Sequence, residues 1–219
     1  MISLLCPSRG RPRQARELKE SFDQTTSGEA ELIFLVDVDD PTLADYPLPF
    51  NAWQPTGDPT GPLNRAALRS MASIVGFCGD DSRMETPGWD LMVERALREP
   101  GFCWGNDGTG PSAWPSTCFI SKEIVWALGW MVPPALRRGF FDVVWAEIAH
   151  STNTAHVIPA MFRHDNSAGD PTSPNFRPEA QVPPEVIAAD EAAYKEWHKN
   201  EAISDVRKIR SLSLAHFFS

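Results

Sequence analysis

The chain of 219 residues carries a formal net charge of −9 and a pI of about 5.0, which argues against non-specific coating of nucleic acid while leaving room for a local basic groove. Apolar residues make up 42% and charged residues 22% of the sequence, a balance that supports one folded domain with a sizeable core and excludes an acidic disordered chain. No apolar run is long enough to cross a bilayer, no secretory leader opens the chain, and a cytoplasmic location is expected.

Met1–Cys6 is an apolar run that reads as a buried strand stopping at Pro7. Arg13–Thr25 places Ala15, Leu18 and Phe22 on one helical face. Leu32–Val38 is a second apolar strand closed by Asp39-Asp40-Pro41, and Tyr46–Pro62, rich in Pro, Asp and Gly, reads as an ordered loop. Asn64–Ala72 is helical, Ile74–Cys78 is a third strand ended by Gly79-Asp80-Asp81, and Pro87 suits the start of a helix running through Leu97. Phe102–Trp104 and Thr117–Ile120 are short strands on either side of a turn-rich loop, Asn106–Pro115. Lys122–Leu128 and Phe141–Ala149 are predicted helices, and His156–Phe162 is the last strand. Ser167–Pro184 has the Pro, Gly and Asn content of a segment with no core of its own, and is predicted as a lid that orders over bound donor. Glu185–Asn200 is an amphipathic helix with Val186, Ala189, Ala193 and Trp197 on one face, and Ile203–Ser219 is a weakly helical tail with Arg207, Lys208 and Arg210. Cys6, Cys78, Cys103 and Cys118 form no C-x-x-C pair and read as buried reduced thiols.

Apolar strands alternating with helices imply an α/β fold, with a mostly parallel sheet covered on both faces. Ligands of such sheets bind at the carboxyl ends of the strands. The polar punctuation falls there: Pro7-Ser8-Arg9, Asp37-Val38-Asp39-Asp40 and Gly79-Asp80-Asp81 follow the first three strands. Crowded carboxylates repel and need a cation, donors or a shared proton. Magnesium and manganese prefer carboxylate, water and phosphate oxygens. Arg9, Arg11, Arg13 and Arg16 follow the first strand, and a basic turn opening a helix suits a phosphate. Each part has a plain reading, since Asp pairs stabilise turns and an Arg run can be a solvated helix start. The joint pattern at three successive strand ends is more specific and points to a nucleoside diphosphate. No phosphate loop, dinucleotide fingerprint, nucleophile elbow or H-E-x-x-H motif is present.

In Pro7-Ser8-Arg9-Gly10-Arg11-Pro12, in Val36-Asp37-Val38-Asp39-Asp40, and in Phe77-Cys78-Gly79-Asp80-Asp81 followed by Thr86-Pro87-Gly88-Trp89-Asp90, the chain resembles the GT-A-fold glycosyltransferases, particularly the small family-2-like enzymes of bacteria and bacteriophages. A looser match takes in Phe141-Asp142 and Met161-Phe162-Arg163-His164. The resemblance implies a single GT-A (Rossmann-like) domain over residues 1–166, a Pro-rich loop at 167–184 and a C-terminal helical extension at 185–219. It implies a nucleoside-diphosphate-sugar donor, UDP-sugar first, with Mn2+ or Mg2+ as cofactor. Donor contacts fall on Pro7, Ser8, Arg9, Arg11, Asp37, Asp39, Arg65 and Asp80. Gly79 stands where the family has its first acidic position, leaving Asp81 as the metal ligand, with His164 as its partner and His156 as the alternative.

An inverting transfer needs a base near the acceptor hydroxyl, and a carboxylate against an apolar wall is suited to it. Asp142 is the candidate, with a helix cap as its other reading and Glu147 as the competing carboxylate. Trp104, Gly105, Asn106 and Asp107 would form the acceptor wall, with Trp114 and Trp145 as further rings. The acceptor is open: a hydroxylated DNA base, suited by the basic Arg207–Arg210 tail, stands beside protein, polysaccharide and small-molecule acceptors. Two other functions fit parts of the pattern. One is a non-catalytic nucleotide- or carbohydrate-binding domain on a degenerate scaffold, favoured by Gly79. The other is a sugar-phosphate nucleotidyltransferase, which calls for a Gly-rich basic loop where Ser8–Arg13 has a single Gly.

Overall fold

In the computed structural model, which describes residues 1–55, 57–108, 114–164 and 182–217, the apolar runs form the middle of a sheet covered on both faces. Most of the candidate lid at 167–184 lies outside the described residues. The strands are β1 (Ile2–Ser8), β2 (Ala30–Asp37), β3 (Phe50–Trp53), β4 (Ile74–Phe77), β5 (Ser82–Met84), β6 (Phe102–Asn106), β7 (Cys118–Ser121) and β8 (Ala155–His164). The helices are α1 (Pro12–Thr25), α2 (Thr60–Arg69), α3 (Trp89–Ala96), α4 (Lys122–Leu128), α5 (Phe141–Thr152), α6 (Pro184–Asn200) and α7 (Ala202–Phe217).

Among the described residues the sheet order is β3-β2-β1-β4-β7-β6-β8-β5. The four strands β3, β2, β1 and β4 are mutually parallel, β7 is antiparallel to both β4 and β6, β8 is parallel to β6, and β5 is antiparallel to β8. The expected mostly parallel sheet is therefore mixed, with β7 and β5 running against the rest. The carboxyl ends of β1, β2, β4, β6 and β8 consequently all lie along one edge. The order also reverses at β1, with β2 on one side and β4 on the other, which is the switch point where open α/β sheets form a crevice.

Successive residues of a strand point to opposite faces. Leu5, Leu35 and Val75 join one core with residues of α2, α4, α5, Trp197 of α6 and Ile209 of α7. Leu4, Cys6, Phe34 and Val36 join another with Ala15, Leu18 and Phe22 of α1 and Trp89 of α3. Trp89 stacks on Phe119 at 5.3 Å and meets Phe162 edge-on at 5.8 Å, tying α3 to β7 and β8. All four cysteines are buried and free. No helix among the described residues is long and apolar enough to cross a membrane.

Pro7 does not end the first strand, because the strand has already lost a neighbour there. The Leu5 carbonyl accepts the Cys78 amide at 3.2 Å, so odd positions of β1 face β4, and β4 pairs only as far as Leu5. Pro7 faces the gap left by β4, where a missing N–H breaks no ladder. The stretch predicted as a loop, Tyr46–Pro62, contains β3 and the first turn of α2.

Candidate functional site

At the crevice, β1 ends in Ser8 and β4 runs into Gly79-Asp80-Asp81. Ser8 Oγ donates to Asp80 Oδ2 at 2.5 Å and lies 2.9 Å from the Tyr46 hydroxyl. Arg11 Nη1 is 2.8 Å from Asp80 Oδ1, and its Nη2 is 3.6 Å from Asp81 Oδ2. The Tyr46 hydroxyl accepts the Arg11 amide at 3.0 Å. Tyr46 escaped the sequence reading, yet its buried ring holds both ends of this turn, and burial pushes its hydroxyl up to about 12. Asp80 is 5% exposed. Burial pushes its carboxyl up to about 6, Asp81 adds to the shift, and Arg11 and Ser8 only partly oppose it. With both oxygens engaged, Asp80 is the internal post that fixes Ser8 and Arg11. Arg11 keeps two buried donors, Nε and Nη2, without a hydrogen-bond acceptor, although Nη2 lies within ion-pair distance of Asp81.

Asp81 turns the other way. Its Oδ1 lies 3.1 Å from His164 Nε2. The pairing is built by β5, whose Ser82 stands opposite His164 in antiparallel register, and the His164 amide donates to the Asp107 carbonyl at 2.9 Å. Burial would raise the Asp81 carboxyl, but the hydrogen bond and charge of His164 outweigh it and hold it below its ordinary value. The bond to Asp81 raises His164 in turn, against the opposing effect of burial. Gly79 explains the local geometry: a Cβ there would stand 2.5 Å from Asp81 Oδ1 and 3.9 Å from His164 Nε2. The glycine in place of an acidic residue is thus what lets the Asp81 carboxylate fold back toward His164. Gly79→Ala is expected to leave the fold in place and weaken Mn2+ binding in the presence of UDP by roughly tenfold or more, the scale for disturbing a ligand's support. Titration calorimetry checks it, and an unchanged affinity would show that the close approach is not needed.

Among the described residues no three His, Cys, Asp or Glu side chains are arranged to hold a metal by themselves. The pair Asp81–His164 nevertheless fits a cation that takes its remaining ligands from substrate phosphate and water. The two facing atoms lie 3.1 Å apart, and a side chain at Gly79 would crowd the Asp81 carboxylate. An imidazole in the pair favours manganese over the harder magnesium. His156, the alternative ligand, lies early in β8 packed against Gly101, far along the strand from His164.

The outer rim comes from β2 and β3. Arg9 Nη1 bridges Asp37 at 2.7 Å and Asp39 at 2.5 Å, and Arg9 holds the Asp39 carboxyl below its usual range. Asp40 was read as part of the same cluster but is a turn builder, accepting the Gly10 amide at 2.7 Å and the Thr42 amide at 2.8 Å. Arg65 projects from α2 with its guanidinium carbon 5.5 Å from the centre of Trp53, which stands opposite Asp37 in register. Pro7 lies half-buried inside β1 beside Leu35. A separate open groove of about 520 Å³ between β3 and α2 is lined by Leu5, Ile33, Trp53, Ala66 and Arg69, and it touches none of the acidic residues.

Two expectations on the acceptor side change. Trp104 is 1% exposed and belongs to the core. Gly105 is pressed against the Ala160 carbonyl and the Phe162 ring. Neither can serve as an acceptor wall. Asn106 caps the next turn, accepting the Gly108 amide at 2.8 Å, and Asp107 is buried beside His164. Residues 109–113 lie outside the described residues, and Trp114 is exposed. Asp142 sits in the first turn of α5, whose cap position is held by Phe140. Phe141 meets the Phe77 ring at 6.1 Å, which puts the start of α5 against the carboxyl end of β4. Burial raises the Asp142 carboxyl above its ordinary value, with the Val143 amide at 2.9 Å opposing it. Glu147, the competing carboxylate, is engaged by the Tyr194 hydroxyl at 2.8 Å and His198 Nδ1 at 2.6 Å.

The sequence matches no family model and no curated protein. Solved structures do share its fold. S. aureus TarS residues 1–349 in complex with UDP gives a TM-score of 0.57 at 14% identity, over 75% of this chain and 61% of that one. At this identity the likeness is one of fold alone. The mannosyltransferase PcManGT from Pyrobaculum calidifontis, in complex with GDP-Man and Mn2+, gives 0.56 at 13% identity over 97% of this chain and 80% of that one. Rv0371C of Mycobacterium tuberculosis H37Rv, in complex with manganese, gives 0.51 at 14% identity over 73% of this chain and 88% of that one. This chain spans about three-fifths of the TarS fragment.

Proposed function

We propose that this chain is a metal-assisted glycosyltransferase of GT-A architecture, moving a sugar from a nucleoside-diphosphate-sugar donor to an acceptor hydroxyl. The observation that carries the reading is the convergence of strand ends at the switch point, with Asp81 and His164 3.1 Å apart beside Arg11 and its two unsatisfied donors. The likeness in fold to structures holding UDP and GDP-Man supports the donor class.

A bound divalent cation supplies positive charge to the departing diphosphate. Asp81 and His164 would hold it. Arg11, held by Asp80, would add its positive charge beside the diphosphate, where negative charge grows as the glycosidic bond breaks. The Arg9–Asp37–Asp39 cluster and Arg65 on Trp53 would bound the nucleoside side. Asp142 would take the acceptor proton, its affinity for that proton raised by burial. Gly79, which favoured a non-catalytic scaffold, now has a steric reason to be there.

The acceptor classes to be screened are hydroxylated-base DNA, polysaccharides, proteins and small hydroxylated molecules. The test incubates purified protein and Mn2+ with UDP-glucose, UDP-N-acetylglucosamine or GDP-mannose, and measures nucleoside diphosphate release with each acceptor class. Release with at least one donor, dependent on metal, is the expected result. Sugar–nucleotide binding with no release from any donor would favour a binding domain instead, and pyrophosphate exchange would identify a nucleotidyltransferase.

A further inference from the structure

The C-terminal helix α6 reaches the loop in front of Asp142 through one carboxylate. Asp190 is 1% exposed. Its Oδ1 accepts the Arg137 amide at 2.8 Å, and its Oδ2 accepts those of Arg138 at 2.8 Å and Gly139 at 2.7 Å. Converging backbone amides form an anion-binding nest, and here the anion is a side chain 51 to 53 residues away along the chain.

The turn so formed leads directly to Phe140, whose φ of 66° lies in the left-handed region. A bulky side chain holds that conformation only when its surroundings impose it. The Phe140 ring stacks on Tyr194 of the same α6, with centroids 5.4 Å apart and planes 18° apart. Tyr194 donates in turn to Glu147 on α5. At the front of the turn, the Leu136 carbonyl accepts Thr60 Oγ1 at 2.6 Å. The loop is therefore held from α2 on one side and α6 on the other. Asp142 is two residues beyond the strained Phe140, so any change in the turn rotates the first turn of α5 and its carboxylate.

We propose that Asp190 is a positioning residue, fixing the 137–142 turn so that the Asp142 carboxylate keeps the orientation in which it accepts the acceptor's proton. The proposal rests on the reading of Asp142 as the base. It makes α6 a part of the reaction machinery rather than an appendage to it.

The experiment uses the full chain as wild type, Asp190→Asn, Asp142→Asn and the double variant. Asn at 190 keeps one acceptor oxygen and sets an NH2 group against backbone donors. Asp190→Asn is expected to bind UDP with Mn2+ within threefold of wild type and to keep its donor KM within threefold. Its kcat should fall roughly 10- to 100-fold, the scale for a misplaced reacting group. Amide hydrogen exchange should quicken across 137–143 and stay unchanged in α1. In the Asp142→Asn background the same substitution should change turnover less than twofold, because an absent base cannot be misplaced. Additive losses in the double variant, a kcat within twofold of wild type for Asp190→Asn, or unchanged exchange across 137–143 would each overturn the proposal. Wild-type turnover by Asp142→Asn is the separate failure of the base reading, recognisable without any change at Asp190, and takes this proposal with it. If Asp190→Asn does not fold, Asp190→Glu provides the same measurements, and failure of both to fold overturns the proposal by making Asp190 a requirement of the whole domain.

Discussion

Asp81→Asn is expected to abolish the metal-dependent part of nucleoside diphosphate binding and to lower turnover by about 10²–10³-fold, the usual scale for losing a main electrostatic stabiliser. The substitution isolates charge from shape. Asn has the volume of Asp, so the crowding over Gly79 is unchanged, and its oxygen can still accept from His164 Nε2, which now lies 3.1 Å away. The neighbouring Asp80 keeps both its partners, Ser8 and Arg11. The fold at the end of β4 should therefore persist while the negative charge that would hold a cation is gone. Calorimetry of UDP with and without Mn2+ separates the two: wild type should bind more tightly with metal, and the variant should bind equally in both. Full wild-type activity in excess EDTA would remove the metal from the reading altogether.

The site was legible in the sequence where it depended on strand ends, because a strand buried on both faces is an uninterrupted apolar run and its end is marked by the first polar residues. That logic singled out Ser8, Asp37 and Asp81, while His164 rested on the family resemblance. It failed where an element is too short to leave a pattern. β5 has three residues, Ser82–Met84, yet its register is what brings His164 to Asp81. β3 has four, in a segment whose Pro and Asp content reads as loop. Trp104 was misplaced for a different reason. The strand does not end there but continues to Asn106, and Trp104 shares the core face of Phe102 by strand alternation. Long-range polar contacts left no local signal at all. Lys122 reads only as the first residue of a helix, but it is buried, and its ammonium donates to the carbonyls of Ala67, Leu68 and Ser70, closing the end of α2. Asp190 reads as the solvent face of an amphipathic helix and is instead a buried acceptor of three amides. In each case the partner is distant in sequence and only the folded chain supplies it.

Asp142→Asn is expected to lower transfer by roughly 10²-fold or more, the span of general-base loss, with the loss in kcat because the proton moves only in the transition state. The structure narrows what else the change could do. Asp142 does not hold the cap position of α5, so helix capping is not lost, and its bond from the Val143 amide at 2.9 Å can be kept by the Asn oxygen. Burial raises the folded carboxyl above its unfolded value. A raised acid favours the folded state below its unfolded pKa, and that contribution fades as pH rises through the folded pKa. At neutral pH the charged carboxylate is therefore at a disadvantage in the fold, and the Asn variant should melt at or above the wild-type temperature. The same shift moves the acid limb of wild-type kcat/KM upward from that of an ordinary aspartate, since the base works only when ionised. UDP affinity should be unchanged, because the base reading places Asp142 on the acceptor side. Glu147→Gln provides the contrast: Glu147 is held by Tyr194 and His198, so its variant should lose stability at the α5–α6 contact while turnover per folded molecule stays near wild type. Normal transfer by Asp142→Asn would return the base role to another group. A fall in UDP affinity with kcat preserved would instead move Asp142 into the nucleotide site and the acceptor to the far side of the crevice.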